Sequence, residues 1–452
     1  MPVCRLIWGA LLFGAPWVAA AGAAPESVLY TGPVLRSAQF VAAEGVNTHI
    51  GYTDGGYADA AGIVRMLAFV GIDRVRDAVN VPGVNGSPPL KVYWEVARAG
   101  IKFDFIVGGG SFGRNSGSWT SPSLEDRLAN IRWMARAEPG SVIAIEGPNE
   151  INNEPIVYEG IGGSGSERLR AALQMQRDLY RSVRSDSRLA VVPIYYFTGY
   201  GAGAIPNGPD PGLAPDLADF NNQHPYPRNG EPPAAWVARR QALTNGSGGA
   251  AVYTETGYTT NRDNKHGVSP DLQASYTLDL LLDTAKQGIS ATYLYELMDA
   301  YTPGSRQGDA GYGLFDWQRH PKPVALALRN MNAVLRNTAS DAKTFALTPL
   351  ALSLRAASDS LQVLLLQRSA GVHVIALWDE QSQRDGPKGA RTIAPTSAVD
   401  LAWQQPLDVA IYDPLKGGDP ISAEPATRSL HIAAPDHPLF LVLSPPSGPF
   451  TP

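Results

Sequence analysis

Cysteine is almost absent from these 452 residues: the single thiol, Cys4, falls within the first two dozen. A chain with no further cysteine can form no internal disulfide, no thiolate metal site and no cysteine nucleophile. Charge of one sign is equally scarce. The 37 basic and 42 acidic residues give a formal charge of −5 spread along the chain, which offers no basic stripe to nucleic acid and no polybasic patch to a membrane. Repeats of fixed period and low-complexity tracts are missing beyond the opening segment. So are the signatures of resident metals and cofactors. There is no His-x-x-x-His pair, zinc spacing or calcium loop, and Gly108-Gly109-Gly110 follows a strand pattern without the spacing of a phosphate-binding loop. No metal and no cofactor is therefore expected. Asn85-Gly86-Ser87 and Asn245-Gly246-Ser247 match glycan-acceptor sequences but read as plain turns.

The opening segment, Met1 to Ala24, has Arg5, an apolar centre through Leu6-Ile7-Trp8 and Leu11-Leu12-Phe13, and a run of small residues from Ala19 to Ala24. This is the pattern of a secretory signal cleaved near Ala24. Its centre is too short, and too interrupted by Gly14 and Pro16, to read as a stable membrane span. A secreted or periplasmic location follows, and a thiol-free mature chain fits a bacterial one. Removing the segment leaves about 428 residues and, with Arg5 gone, a charge of −6. The 46 glycines and 37 prolines point to a loop-rich fold rather than a helical bundle.

The most informative stretch is Ser141 to Asn153, SVIAIEGPNEINN. Val142 to Ile145 has the length and β-branching of a buried strand, and Gly147-Pro148 ends it, because proline donates no ladder hydrogen bond. Asn149 and Glu150 then emerge at a strand's carboxyl end. Ala250 to Tyr258, AAVYTETGY, repeats the arrangement: an apolar run delivers Glu255 and stops at Gly257. Between and around these two, strand and helix patterns alternate. Strands are expected at Glu44 to Ile50, Ile72 to Asp77, from Ile101, at Val142 to Ile145, Leu189 to Tyr196, Asp216 to Asn221, Ala250 to Tyr258 and Ala291 to Asp299. Helices are expected at Tyr57 to Val70, Leu90 to Ala99, Pro122 to Ala137, Ser166 to Ser185, Pro233 to Leu243, Asp271 to Gln287 and Pro323 to Leu335. Eight strands alternating with these helices over about 290 residues have the count and size of a (β/α)8 barrel, in which strand ends at one face build the site.

After Asn337 the pattern changes to short alternating runs separated by turn residues: Thr344 to Leu354, Ser360 to Gln367, Val372 to Trp378, Val399 to Trp403, Leu407 to Tyr412, Thr427 to Ile432 and Pro438 to Leu443. They predict an antiparallel β-sandwich. The expected organisation is a signal over 1–24, a segment 25–43 adding one or two strands to the sandwich, a TIM barrel over 44–337 and the sandwich over 338–452.

Asn149-Glu150 ending the fourth strand, Glu255 on the seventh, Arg76 on the second and His224-Pro225-Tyr226 after the sixth, on a barrel with a trailing sandwich, together resemble the clan A retaining glycoside hydrolases, family 39 and its relatives above all. The resemblance implies that Glu150 is the acid/base and Glu255 the nucleophile of a double displacement. It implies that Asn149 meets a sugar 2-hydroxyl, that Arg76 and Tyr226 hold Glu255 ionised, and that His224 lines the same pocket. The partner would be a poly- or oligosaccharide, with no nucleic acid and no stable membrane insertion.

Several residues keep two readings. Glu146 is either an ion-pair partner inside the barrel or a pocket residue; Arg76 either serves Glu255 or only pairs with an acid such as Asp77. His49, ending the first strand, either touches sugar or packs. The eighth strand departs from the family pattern, offering Tyr295 and Glu296 where many members place a tryptophan. Tyr295 would then be the platform, and Glu296 a ligand for a sugar hydroxyl or a competitor for the nucleophile's role. Tyr52, Trp119, Tyr195, Tyr196, Tyr258 and Trp317 are further candidates for stacking on sugar or for packing. A non-catalytic sugar-binding barrel and a transglycosylase remain as alternatives.

Overall fold

The computed structural model describes residues 27–446, apart from 53–54, 79–89, 109–117, 154–155, 163–165, 200–216, 229, 246–249, 303–309, 383, 386–389 and 392–394. The expected signal segment, Asn85-Gly86-Ser87, Gly109 and Gly110, Gly246 and Ser247, and most of the stretch after the fifth barrel strand lie outside these residues.

Eight parallel strands form the first sheet: β1 (Glu44–Asn47), β2 (Arg74–Ala78), β3 (Lys102–Ile106), β4 (Val142–Glu146), β5 (Ile194–Tyr195), β6 (Asn221–Gln223), β7 (Ala251–Thr256) and β8 (Thr292–Leu294). Their order around the sheet is β5-β4-β3-β2-β1-β8-β7-β6, and a parallel bridge between Tyr195 and Phe220 closes it. This is a (β/α)8 barrel. Its interior is filled by Ala144, Tyr195, Val252, Ala291 and Tyr293. Large rings on some strands need small residues on others: a Cβ on Gly45 would fall 2.3 Å from Cδ1 of Tyr293.

The outer helices carry local start and stop signals. Helix Ala60–Val70 begins where the Asp59 side chain accepts from the Gly62 amide, and ends at Gly71 in the left-handed conformation (φ 80°). Ser121–Ala137 is opened by a reciprocal Thr120–Ser123 capping box, and Pro270–Lys286 by Ser269. Helices Ser166–Ser185 and Pro323–Leu335 have the expected bounds. Among the described residues no helix is long and apolar enough to cross a membrane.

The second sheet is mostly antiparallel and fits a β-sandwich, with order Val28–Leu29, Ser353–Ala356, Ser397–Tyr412, Leu439–Ser444, Val372–Asp379, Leu361–Ser369, Val34–Arg36, and Pro420–Ala434 paired to Ser397–Tyr412. Two strands ahead of the barrel thus enter this sheet. Its central strands bury both faces, which is why they read as continuous apolar runs. Leu364, Leu366, Val374, Ala376, Trp378, Phe440 and Val442 belong to the core shared with the barrel, while Val363, Leu365, Ile375, Leu377, Leu441 and Leu443 belong to the sandwich's own.

Some boundaries differ from expectation. The sixth strand is Asn221–Gln223 rather than Asp216 to Asn221, because the polar run finds partners inside the barrel: Asn222 Nδ2 donates to the Tyr196 carbonyl, and its Oδ1 accepts from Thr254. The fifth shrinks to Ile194–Tyr195, its first half being turn around Asp186. A single turn of 3-10 helix, Gly56–Ala58, precedes the first long helix, so Tyr57 is not within it. Val399 to Trp403 and Leu407 to Tyr412 join into one strand, and of Thr344 to Leu354 only the last two residues are strand. The loop after β4 contains a small hairpin, Val157–Tyr158 with Ile161–Gly162, to which Ser118–Trp119 adds.

Candidate active site

The strands bring polar residues from β1, β2, β4, β6 and β7 to one place, with Arg76 at its centre. Arg76 is buried on β2 and its guanidinium has five N–H groups. Nε and Nη2 donate to the two oxygens of Glu146 (2.7 and 2.8 Å), Nη1 to Glu255 Oε1 (2.6 Å) and Asn47 Oδ1 (2.9 Å), and Nη2 also to Asn149 Oδ1 (2.9 Å). All five donors are engaged, in the bidentate geometry that lysine cannot reproduce. Arg76 thus contacts Glu255, and its other acid partner is Glu146 rather than Asp77. Asp77 instead accepts from Thr48 Oγ1 (2.6 Å) and the Ile50 amide (2.9 Å), and burial lifts its carboxyl to about 6 against those bonds.

Glu255, on β7, has its second oxygen bonded by the Tyr226 hydroxyl at 2.9 Å. Burial alone would raise this carboxyl. The charges of His224 and Arg76 and the bonds from Tyr226 and Arg76 outweigh that and leave it below its ordinary value. It is held as a carboxylate.

Glu150 follows β4 and adopts a left-handed backbone (φ 36°), uncommon outside glycine and of a kind concentrated at functional sites. Its amide donates to Thr198 Oγ1 at 3.0 Å, and the neighbouring Ile151 amide to the Thr198 carbonyl, which fixes the turn. Its side chain meets His224 Nδ1 at 2.8 Å and accepts from Asn153 Nδ2 at 3.3 Å. His224 is fully buried, with Nε2 3.0 Å from Thr254 Oγ1. Burial pushes the imidazole down, but the Glu255 charge and the bond to Glu150 raise it overall. One oxygen of Glu150, one ring nitrogen of His224 and one oxygen of Glu255 lie within 4.8 Å of one another.

A second cluster adjoins the first. His49 lies beyond β1, not on it; it contacts Glu296 at 3.2 Å, stacks on Tyr52 (centroids 4.5 Å apart, planes 7° apart) and meets Tyr57 and Tyr295 edge-on. Glu296 also accepts from the Tyr57 hydroxyl at 3.3 Å. Tyr295 links the clusters, its ring 6.4 Å from Tyr226 and 5.6 Å from Tyr312. All nine residues singled out in the sequence (Glu150, Glu255, Asn149, Arg76, His224, Tyr226, His49, Tyr295 and Glu296) thus gather at one end of the barrel. Of the other aromatic candidates, Tyr195, Tyr196 and Tyr258 are buried in the core, Trp119 packs under the Arg127 guanidinium, and Trp317 is exposed.

Sequence reasoning passed over Asn47, Asn222, Thr254 and Tyr312. The first three are polar residues at inward positions of otherwise apolar strands, a signal that alternation alone contains. Tyr312 comes from the chain after β8 and had none.

The barrel, the trailing sandwich and this placement of Arg76, Glu150 and Glu255 can be set beside solved structures. The family 39 glycoside hydrolase from Bacteroides cellulosilyticus WH2 superposes with a TM-score of 0.56 at 15% identity, covering 91% of this chain and 83% of that one. The GH39 enzyme from Xanthomonas axonopodis pv. citri gives 0.58 at 13%, covering 95% and 99%. The chain shares their fold. A monomeric β-xylosidase from Caulobacter crescentus CB15 gives 0.56 at 12%, covering 92% and 97%. By sequence alone, no family model and no curated protein matches the chain. The likeness is one of architecture and strand order, kept while most side chains differ.

Proposed function

We propose that the protein is a glycoside hydrolase that cleaves O-glycosidic bonds of a poly- or oligosaccharide by retaining double displacement. The observation that carries this reading is the unequal dressing of two neighbouring carboxyl groups. Glu255 is held ionised by Arg76 and Tyr226, whereas Glu150 shares a 2.8 Å hydrogen bond with an imidazole able to hold or return a proton. Their separation, within 4.8 Å at the nearest ligand atoms, suits attack by one carboxylate on the anomeric carbon and leaves less room than an interposed water needs.

In the first step a Glu255 oxygen forms a bond to the anomeric carbon, and the glycosidic oxygen departs with the proton of Glu150. In the second, Glu150 takes a proton from water as that water attacks the same carbon and releases Glu255. Asn149 contributes its amide Nδ2 to the sugar, since its Oδ1 is committed to Arg76. Tyr295 and Tyr312 would wall the subsite, and the His49–Glu296 pair would meet hydroxyl groups at its far side. The composition of Met1 to Ala24 supports export of the chain before it acts.

The test is hydrolysis of a panel of aryl glycosides and polysaccharides by wild type, Glu150→Ala and Glu255→Ala with azide. For a β-linked substrate, Glu150→Ala should yield the β-glycosyl azide and Glu255→Ala the α-azide. Azide products of the same configuration from both variants would remove the assigned roles, and absence of turnover on a broad panel would remove the hydrolase.

A further inference from the structure

The residues proposed for the reaction also form a set of metal-ligand donors. We propose that Glu150, His224 and Glu255 form a binding site for a divalent transition cation of the zinc class, and that the bound cation blocks the pocket. The three residues come from the β4 turn, the end of β6 and β7, so no sequence spacing reveals them.

Geometry is the first support. A tetrahedral zinc with bonds near 2.0–2.1 Å separates its ligand atoms by roughly 3.4 Å. His224 Nδ1 lies 3.6 Å from Glu255 Oε2 and 2.8 Å from Glu150 Oε1. Taking up a cation would require the two glutamate side chains to rotate, opening the shorter contact and closing the carboxylate gap. The fourth position would face the space a sugar occupies, as in sites that keep one coordination place open.

The surroundings supply the second. A ligating imidazole is usually oriented through its other nitrogen. His224 Nε2 has that partner in Thr254 Oγ1 (3.0 Å), itself anchored to Asn222 Oδ1 (2.9 Å). Glu255 Oε1, the oxygen not needed by the cation, is the one bound to Arg76, and Oε2 would serve the cation while still accepting from Tyr226. Glu146 and Glu255 share one guanidinium here, and Glu150 adds a third carboxyl group beside His224, so carboxyl groups outnumber the arginine at this place. One imidazole nitrogen with two carboxylates favours zinc or its neighbours over magnesium and calcium, which want oxygen shells of six or more.

The cation would occupy the proton-transfer oxygen of Glu150 and an oxygen of the nucleophile together. It would therefore compete with glycoside. This proposal uses the site of the proposed hydrolase but not its turnover, so the two can fail separately.

The experiment is competition of the metal-free full chain against a chromogenic zinc chelator, with wild type, His224→Gln, Glu150→Gln, Glu255→Gln and His437→Gln. His437 is included because it lies between Asp413 and Asp436 in the sandwich. One zinc equivalent is expected in wild type and His437→Gln. In each of the other three it should weaken by about 100-fold or more, beyond the loss seen for outer-shell partners. Wild type should also show a visible cobalt(II) spectrum that a bound glycoside analogue displaces, a reading that needs no variant to fold. No bound equivalent, equal binding in wild type and His224→Gln, loss only in His437→Gln, or a cobalt spectrum indifferent to the analogue would each overturn the site. Should no glycoside be hydrolysed, the hydrolase reading falls while the chelator result still decides this one.

Discussion

Replacing Arg76 by lysine separates the charge of the central residue from its shape. The guanidinium makes five donor contacts, all to side chains that are buried or partly buried, and three of them go to carboxylates. An ammonium has three N–H groups, so at least two contacts are lost even with ideal placement. Hydrogen bonds involving a charged group contribute about 1.5–3 kcal/mol each, which gives about 3–6 kcal/mol for two. That is a large share of the roughly 5–15 kcal/mol that holds a typical domain together. The assay is denaturant unfolding at pH 7 alongside the pH profile of kcat/KM. Arg76→Lys should unfold with a loss in this range. Arg76→Met, which also removes the charge, should in addition move the acid limb of kcat/KM to higher pH. The sign follows from Glu255: its folded carboxyl lies below the ordinary value partly because of Arg76, so without the cation it takes up a proton sooner as pH falls. Unfolding of Arg76→Lys within 1 kcal/mol of wild type, or an unmoved acid limb in Arg76→Met, would refute the view that this guanidinium organises the site.

Glu146→Gln removes a negative charge that shares Arg76 with Glu255, so the acid limb of kcat/KM should move the opposite way, to lower pH; a shift upward would contradict the network. Tyr226→Phe deletes one hydrogen bond to the Glu255 carboxylate, and kcat/KM should fall by about 10- to 100-fold while thermal unfolding changes little. Trp378→Ala empties a fully buried site in the core common to barrel and sandwich, and should cost about 3–5 kcal/mol in denaturant unfolding without altering the pH profile. In the sandwich, His437 bonds Asp413 at 3.1 Å and Asp436 at 3.0 Å. Burial opposes both charges, yet the pairing raises the His437 imidazole and draws Asp413 down to about 2. The His437 contribution is present below its unfolded value and lost as pH rises through the raised one; that of Asp413 is present above its unfolded value and lost as pH falls toward 2. Asp413→Asn should therefore lower the melting temperature more at pH 5 than at pH 9, and an equal drop at both would argue against a charged pair.

Local chemistry decided much of this protein before any tertiary contact formed. Gly147-Pro148 ends a β-branched run whatever surrounds it, and Ser269-Pro270, Pro323 and Gly71 set helix ends through caps and fixed backbone angles. The alternation of these signals implied the barrel, and with it the face on which Glu150 and Glu255 emerge. The strand where local signals misled is one whose polar residues are paid for across the barrel: Asn222 and Gln223 fall beyond the expected strand end at Asn221 until Tyr196 and Thr254 supply Asn222 with partners. Long-range packing alone made one strand of Ser397–Tyr412. Only the closed barrel decided that Glu146 and Glu255, more than a hundred residues apart, share one arginine, and that Glu150, His224 and Glu255 meet within 4.8 Å. The register between parallel strands sets those distances, and register depends on how eight separate segments fill one interior. No spacing along the chain encodes it.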